Sequence, residues 1–184
     1  MANTPSNMLP LGTTAPSFNL FDTISDRYIS LNEIKGEFAT LVMFICNHCP
    51  FVLHINDQLV KLANDYLHKG IGFVAISSND VVNYPQDSPE LMKVHAQKFG
   101  YKFPYLYDKT QEIAKAYNAA CTPDFYLFDS NLKLVYRGQL DGSRPSLNIP
   151  VTGKDIRAAL DAILAGKNIN QNQIPSMGCN IKWK

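Results

Sequence analysis

Two cysteines set two residues apart, Cys46 and Cys49 in Phe44-Ile45-Cys46-Asn47-His48-Cys49-Pro50, are the residues of this 184-residue chain best suited to chemistry. The spacing lets the two sulfurs bridge across one turn. At the start of a helix, the free N–H groups and the positive end of the helix dipole favour thiolate over thiol. Such a pair makes a reactive, reversible disulfide. His48, between the sulfurs, adds a positive charge when protonated, which favours the charged sulfur and makes the disulfide more oxidising. The bland alternatives are a buried ordinary cysteine pair, half of a metal site and, for His48, a solvent-facing loop residue. Zinc needs two further ligands, and only Cys121, Cys179, His54, His68 and His95 remain, without a second Cys-x-x-Cys or a close His pair. No metal and no cofactor is expected, although a copper or zinc binder or a redox-sensing adaptor stays open as a reading from another class.

The elements that would position the pair follow from hydrophobic periodicity. Ala39 to Ile45 is a nearly unbroken apolar run rich in β-branched residues, as in a strand covered on both faces. Directly after it, Val52, Ile55, Leu59, Leu62, Ala63 and Tyr66 recur at three- and four-residue steps, predicting a helix that stops near Lys69-Gly70. Pro50 suits its first turn. Gly72 to Ser77 predicts a second buried strand, so the cysteines fall at the strand-to-helix junction of a right-handed crossover.

Upstream, Ser17 to Leu20 and Arg27 to Leu31 read as an N-terminal hairpin, with Asn32 capping a short turn ending at Gly36. Downstream come a loop over Asn79 to Pro89, a helix over Pro89 to Phe99, a strand over Phe103 to Tyr107 and a helical stripe over Thr110 to Tyr117. Asp124 to Phe128 and Leu132 to Arg137 predict a two-strand meander, and Thr152 to Ala165 a last helix capped by Thr152. A polar tail follows, ending in Met177-Gly178-Cys179-Asn180-Ile181-Lys182-Trp183-Lys184. The length fits one domain, with a core of about 38–166, a hairpin of about 17–31 and a tail over 167–184.

The 17 basic and 16 acidic residues, formal charge +1, are spread along the chain, which argues against nucleic acid or an anionic membrane as partner. Neither an export signal in Met1 to Gly12 nor an apolar run of about 18 residues is present, so a cytoplasmic location is expected. Four cysteines are too few for a secreted disulfide scaffold.

Strand, Cys-x-x-Cys at a helix start, crossover, then Thr122-Pro123 before the meander resembles the thioredoxin superfamily over about Leu41 to Gly166. The resemblance implies an α/β fold with a central mixed sheet flanked by helices. Carried over residue by residue, Cys46 matches the exposed nucleophile, Cys49 the resolving thiol and Pro123 a cis-proline facing the disulfide, with Thr122 before it. The bland reading of Pro123 is a strand-entry proline. The hairpin and the mid-chain insertion around Asn79 to Phe99 resemble the redoxin and peroxiredoxin branch, of alkyl hydroperoxide reductase and thiol-specific antioxidant type. There the peroxide-reducing cysteine precedes proline, as Cys49 precedes Pro50, but Cys46 replaces its threonine and Pro123 its arginine. Thr40 and Ile45 stand where thioredoxins place a buried carboxylate and a tryptophan.

The resemblance implies a thiol-disulfide oxidoreductase in which a Cys46 thiolate attacks a substrate disulfide and Cys49 releases the product by closing Cys46–Cys49. The runner-up is an antioxidant thiol peroxidase in which Cys49 becomes a sulfenic acid resolved by Cys46 or Cys121. Expected partners are disulfide-containing proteins or small thiols, with peroxides under the second reading; a dimer is left open. Cys121, two residues before Pro123, is a third candidate thiol or a small buried strand residue. Cys179 lies on the tail, where the resemblance implies a resolving cysteine that in some peroxiredoxins reaches across a dimer; the preferred reading is that Cys179, Ile181 and Trp183 tie the tail to the body by burial, and Tyr84, Phe125 and Tyr126 read as packing.

Overall fold

The computed structural model describes residues 3–184, so the part of the signal expectation that concerns Met1 and Ala2 lies outside the described residues. The buried apolar run forms strand β4 (Ala39–Phe44), every residue of which is buried. Its alternate side chains feed two clusters: Leu41 and Met43 enter one, Val42 and Phe44 the other. This explains why the run reads as unbroken rather than alternating: both faces of the sheet are covered.

β4 lies inside a seven-stranded sheet of order β3-β2-β6-β5-β4-β8-β9. It pairs in parallel with β5 (Ile71–Ser77) and antiparallel with β8 (Asp124–Asp129), while β5 continues in parallel to β6 (Tyr105–Tyr107). The hairpin of β2 (Asn19–Asp22) and β3 (Arg27–Ser30) extends one edge through β6, and β9 (Leu134–Gly138) closes the other. The mixed α/β sheet, the hairpin and the meander therefore agree with the expectation.

Helix α2 (Pro50–Tyr66) starts at Cys49, with Pro50 in its first turn, and buries Val52, Ile55, Leu59, Leu62, Ala63 and Tyr66. These are the residues of the predicted stripe. A 3-10 turn over Leu67–Lys69 and Gly70, at φ 78°, end it. Helix α3 (Pro89–Phe99) matches its predicted span and is stopped by Gly100 at φ 73°.

Several local details differ. The first short helix, α1 (Leu31–Ile34), is capped by Ser30, not Asn32, because the Glu33 carboxylate accepts from both the Ser30 N–H and its hydroxyl at 2.8 Å each. The stripe at Thr110 to Tyr117 shrinks to α4 (Glu112–Ala116). β9 begins at Leu134, since Leu132, at φ 58°, closes the turn by donating to the Asp129 carbonyl at 2.9 Å. Helix α5 (Lys154–Leu164) is capped by Gly153, and its preceding N–H groups at Thr152 and Gly153 both donate to the Asp141 carboxylate at 2.6 Å. Capping is thus supplied from another loop, which local sequence does not encode.

The tail forms structure. Strand β10 (Met177–Asn180) lies between β1 (Asn3–Pro5) and the two-residue strand β7 (Cys121–Thr122) in a second sheet, paired antiparallel to both. Cys179 and Ile181 are buried as expected, whereas Trp183 is 43% exposed, its ring lying 5.9 Å from the Lys115 ammonium. Among the described residues, no helix is long and apolar enough to cross a membrane.

Candidate active site

β4 delivers Cys46 to the sheet end, α2 carries Cys49 at its N-cap, and β7 brings up Thr122 and Pro123, whose peptide bond is cis. Cys46, Cys49, Thr122 and Pro123 therefore converge, as the sequence predicts. Cys46 is 1% and Cys49 0% exposed. The expected exposed nucleophile is thus covered, because β10 and the insertion pack over the sheet end.

Cys49 sits at the centre of a thiol cluster. Its sulfur is 3.0 Å from that of Cys179 and 3.1 Å from the Thr122 carbonyl, while the Cys46 sulfur is 3.4 Å from the Thr122 hydroxyl. Hydrogen bonding from Cys46 is the largest influence on Cys49 and lowers its pKa; Cys179, Thr122 and the Val52 N–H add to it, overcoming burial, and the thiol is brought down to about 5. The Val52 N–H acts from the first turn of α2 without closing a capping bond.

The neighbouring thiols move the other way. Cys46 is pushed well above its ordinary value by the hydrogen bond to Cys49, by burial and by the charge of Asp87. Burial first, then Cys49, raises Cys179 to about 12. Within the Cys-x-x-Cys pair, their mutual hydrogen bond lowers Cys49 and raises Cys46. Cys121 is kept a thiol by burial, with its hydrogen bond directed to the Pro123 carbonyl at 3.6 Å.

His48 does not face solvent alone. Its Nδ1 lies 2.6 Å from Asp87 Oδ2, and its ring stacks on Tyr84 with centroids 5.8 Å apart. Asp87 is fully buried on the 3-10 turn Pro85–Asp87 and also accepts from the Asn47 N–H and the Asn79 side chain, each at 2.8 Å. Burial would raise its carboxyl, but the bonds from His48, Asn79 and Asn47 hold it below the ordinary carboxylate range. Asp87 eluded sequence reasoning because it lies in a polar loop 40 residues from Asn47, with no motif around it. Donor atoms of Cys46, His48 and Asp87 lie within 4.8 Å of one another, a sulfur, nitrogen and oxygen trio that a ligand count over Cys and His alone does not reveal.

A mixed sheet with two thiols at a strand-to-helix junction, faced by a cis-proline, defines an oxidoreductase of the thioredoxin-like class. The AhpC/TSA family model matches residues 11–137, and the chain belongs to that family. Among relatives, the thiol-disulfide oxidoreductase ResA of Geobacillus kaustophilus is 27% identical over 129 residues, 70% of this chain and 68% of that protein. The crystal structure of an uncharacterized conserved protein from Geobacillus kaustophilus is 61% identical, covers 100% of this chain and 97% of its own, and superposes with a TM-score of 0.99. The thioredoxin domain of a thiol-disulfide oxidoreductase from Bacteroides vulgatus shares the fold at 22% identity, with a TM-score of 0.60 over 70% of this chain and 88% of its own.

Proposed function

We propose that this protein is a thiol-disulfide oxidoreductase that cycles a Cys46–Cys49 dithiol, with Cys49 as the attacking sulfur. The observation that carries this reading is the placement of Cys49 at the N-cap of α2, beside Cys46, with its sulfur 3.0 Å from that of Cys179 and 3.1 Å from the Thr122 carbonyl; this clustering favours its thiolate. A Cys49 thiolate attacks one sulfur of a substrate disulfide, forming a mixed disulfide while the other substrate sulfur leaves with the electron pair. Cys46 then gives up its proton and attacks Cys49, the Cys46–Cys49 bond forms, and the second substrate sulfur leaves and is protonated. The substrate gains two electrons and the dithiol loses two. Thr122 contacts both sulfurs, and Pro123 shapes the wall beside them. His48, held by Asp87, has a ring nitrogen within 4.8 Å of the Cys46 sulfur. Substrates are protein disulfides or small disulfides. With both sulfurs covered, a macromolecular disulfide reaches them only when the covering strand moves.

Disulfide reduction assayed on an insulin-type substrate tests this. Cys49→Ser should abolish turnover, whereas Cys46→Ser should lose closure of the Cys46–Cys49 bond and turn over more slowly. Undiminished turnover in Cys49→Ser would sink the assignment.

The same acidic, buried Cys49 before Pro50 favours a second reading as a thiol peroxidase. The thiolate attacks the peroxide, the O–O bond breaks, an alcohol or water leaves, and the Cys49 sulfenic acid condenses with Cys46 to give the disulfide and water. Fast peroxide consumption in stopped flow, lost in Cys49→Ser, would favour it. A cytoplasmic location is part of this proposal, resting on the cysteine count and balanced charge; fractionation of cells producing the native chain tests it.

A further inference from the structure

The relation of Cys179 to Cys49 is built by more than one contact. Gly178 presses so closely on β7 that a Cβ there would lie 1.9 Å from the Thr122 carbonyl oxygen. Cys179 pairs with Thr122 in register, which sets its sulfur 3.0 Å from Cys49. On one side the Ser176 hydroxyl donates to the Pro123 carbonyl at 2.6 Å. On the other, the Ile181 N–H donates to the Ala120 carbonyl at 3.1 Å, the Lys182 N–H donates to the Asn79 side-chain oxygen at 2.9 Å, and the Asp80 N–H donates to the Lys182 carbonyl at 2.8 Å. The tail is clamped at both ends of Cys179, and α2 presents Cys49 from the opposite side. A disulfide needs the sulfurs at about 2 Å, so roughly 1 Å of closure converts this contact into a bond.

We propose that Cys179 is a third redox thiol of this site: a Cys49–Cys179 disulfide forms within one chain as an alternative to Cys46–Cys49 and fastens the C-terminal strand over the dithiol. The inference rests on Cys49 being the attacking sulfur. Once Cys49 is held in a mixed disulfide, both Cys46 and Cys179 adjoin the sulfur to be attacked. Cys179 loses its proton to the departing substrate sulfur, the Cys49–Cys179 bond forms, and the bond from Cys49 to the substrate breaks. Atoms and electrons balance as they do for Cys46, with no further reactant.

Electrostatics separate the two resolving thiols. Asp87 disfavours a Cys46 thiolate, whereas Lys182 favours one at Cys179. The Cys49 hydrogen bond and charge that raise Cys179 in the reduced site disappear once Cys49 is in a mixed disulfide, although burial remains. Chain placement separates them as well. Closing Cys46–Cys49 joins residues within one turn, but closing Cys49–Cys179 joins segments 130 residues apart and pins β10 against α2. The first state leaves the covering strand held by non-covalent contacts alone; the second makes its attachment covalent.

Full-length Cys46→Ser and Cys46→Ser/Cys179→Ser proteins treated with oxidised glutathione, followed over time by intact mass and peptide mapping, test the proposal. In Cys46→Ser the glutathione adduct at Cys49 should be transient, giving way to cross-linked Cys49 and Cys179 peptides. In the double variant it should persist at least about ten times longer, as expected when a held neighbouring thiol is removed. An equally long-lived adduct in both, or a cross-link of Cys49 to Cys121, overturns the inference while leaving Cys49 as the attacking sulfur. No adduct at Cys49 in either variant overturns the reading of Cys49 itself, and this inference with it. Wild-type protein at graded oxidant provides a measurement free of substitutions: a Cys49–Cys179 cross-link should accompany Cys46–Cys49, and its absence at every oxidant level counts against the proposal.

Discussion

Gly178 stands against the Thr122 carbonyl with no room for a side chain, since a Cβ would lie 1.9 Å from that oxygen and 3.1 Å from the Pro123 nitrogen. The neighbours are backbone atoms beside the cis peptide, so they cannot swing aside as a flexible side chain would. Gly178→Ala should therefore displace β10 and cost about 2–3 kcal/mol, in the range of overpacked cores. Denaturant unfolding measures the loss, and faster alkylation of Cys179 by a thiol reagent reports the lifted strand. An unchanged midpoint and an equally protected Cys179 would show that β10 does not need this approach.

Cys49 and Cys46 should separate sharply in a pH series of alkylation. With its pKa near 5, Cys49 should already react at its full thiolate rate at pH 6 to 7 once reagent reaches it, while Cys46 lags to well above its ordinary range. Linkage carries the same sign: the native state holds fewer protons than the unfolded chain between about 5 and the ordinary cysteine value of about 8.5, so stability rises with pH through that window. Falling pH loses the contribution through about 5. Cys49→Ser should flatten that part of the stability profile.

Asp124 should act in the opposite sense. It follows the cis-proline in β8, and burial raises its carboxyl to about 6 against hydrogen bonds that include the Tyr126 hydroxyl at 2.9 Å. The native state then binds more protons than the unfolded chain between about 4 and about 6, so stability is lost as pH rises through that window. Asp124→Asn should remove this descending limb in pH-dependent thermal unfolding. A limb that persists would assign it to another group.

Asp87→Asn should change the dithiol from a distance. Removing the carboxylate takes away one of the groups that raise Cys46, so Cys46 should alkylate several-fold faster at a fixed pH in a Cys49→Ser background. The buried bonds from Asn47, His48 and Asn79 are disturbed, with a cost on the order of 1–3 kcal/mol. Loss of stability without a shift in the Cys46 pH profile would make Asp87 a structural residue only.

Sequence by itself determined the frame. The apolar run of β4, the three- and four-residue steps of α2 and Pro50 after Cys49 specify local hydrogen bonding and burial, and these put the Cys-x-x-Cys pair at the strand-to-helix junction. Thr122-Pro123 likewise stands where the motif places it. The character of the pair was decided by tertiary structure. Cys179 and Asp87 lie 130 and 40 residues from Cys49 and Asn47, the residues they touch; the alternation of Cys179 with Ile181 announces burial but not the partner, and Asp87 belongs to no periodic pattern. The tail looks polar because only Gly178 and Cys179 of β10 are buried, and the register that seats them on Thr122 arises from backbone pairing with β7. Which sulfur ionises first is therefore a property of the donors gathered around Cys49 in space, whereas the presence of two adjacent sulfurs is a property of the chain.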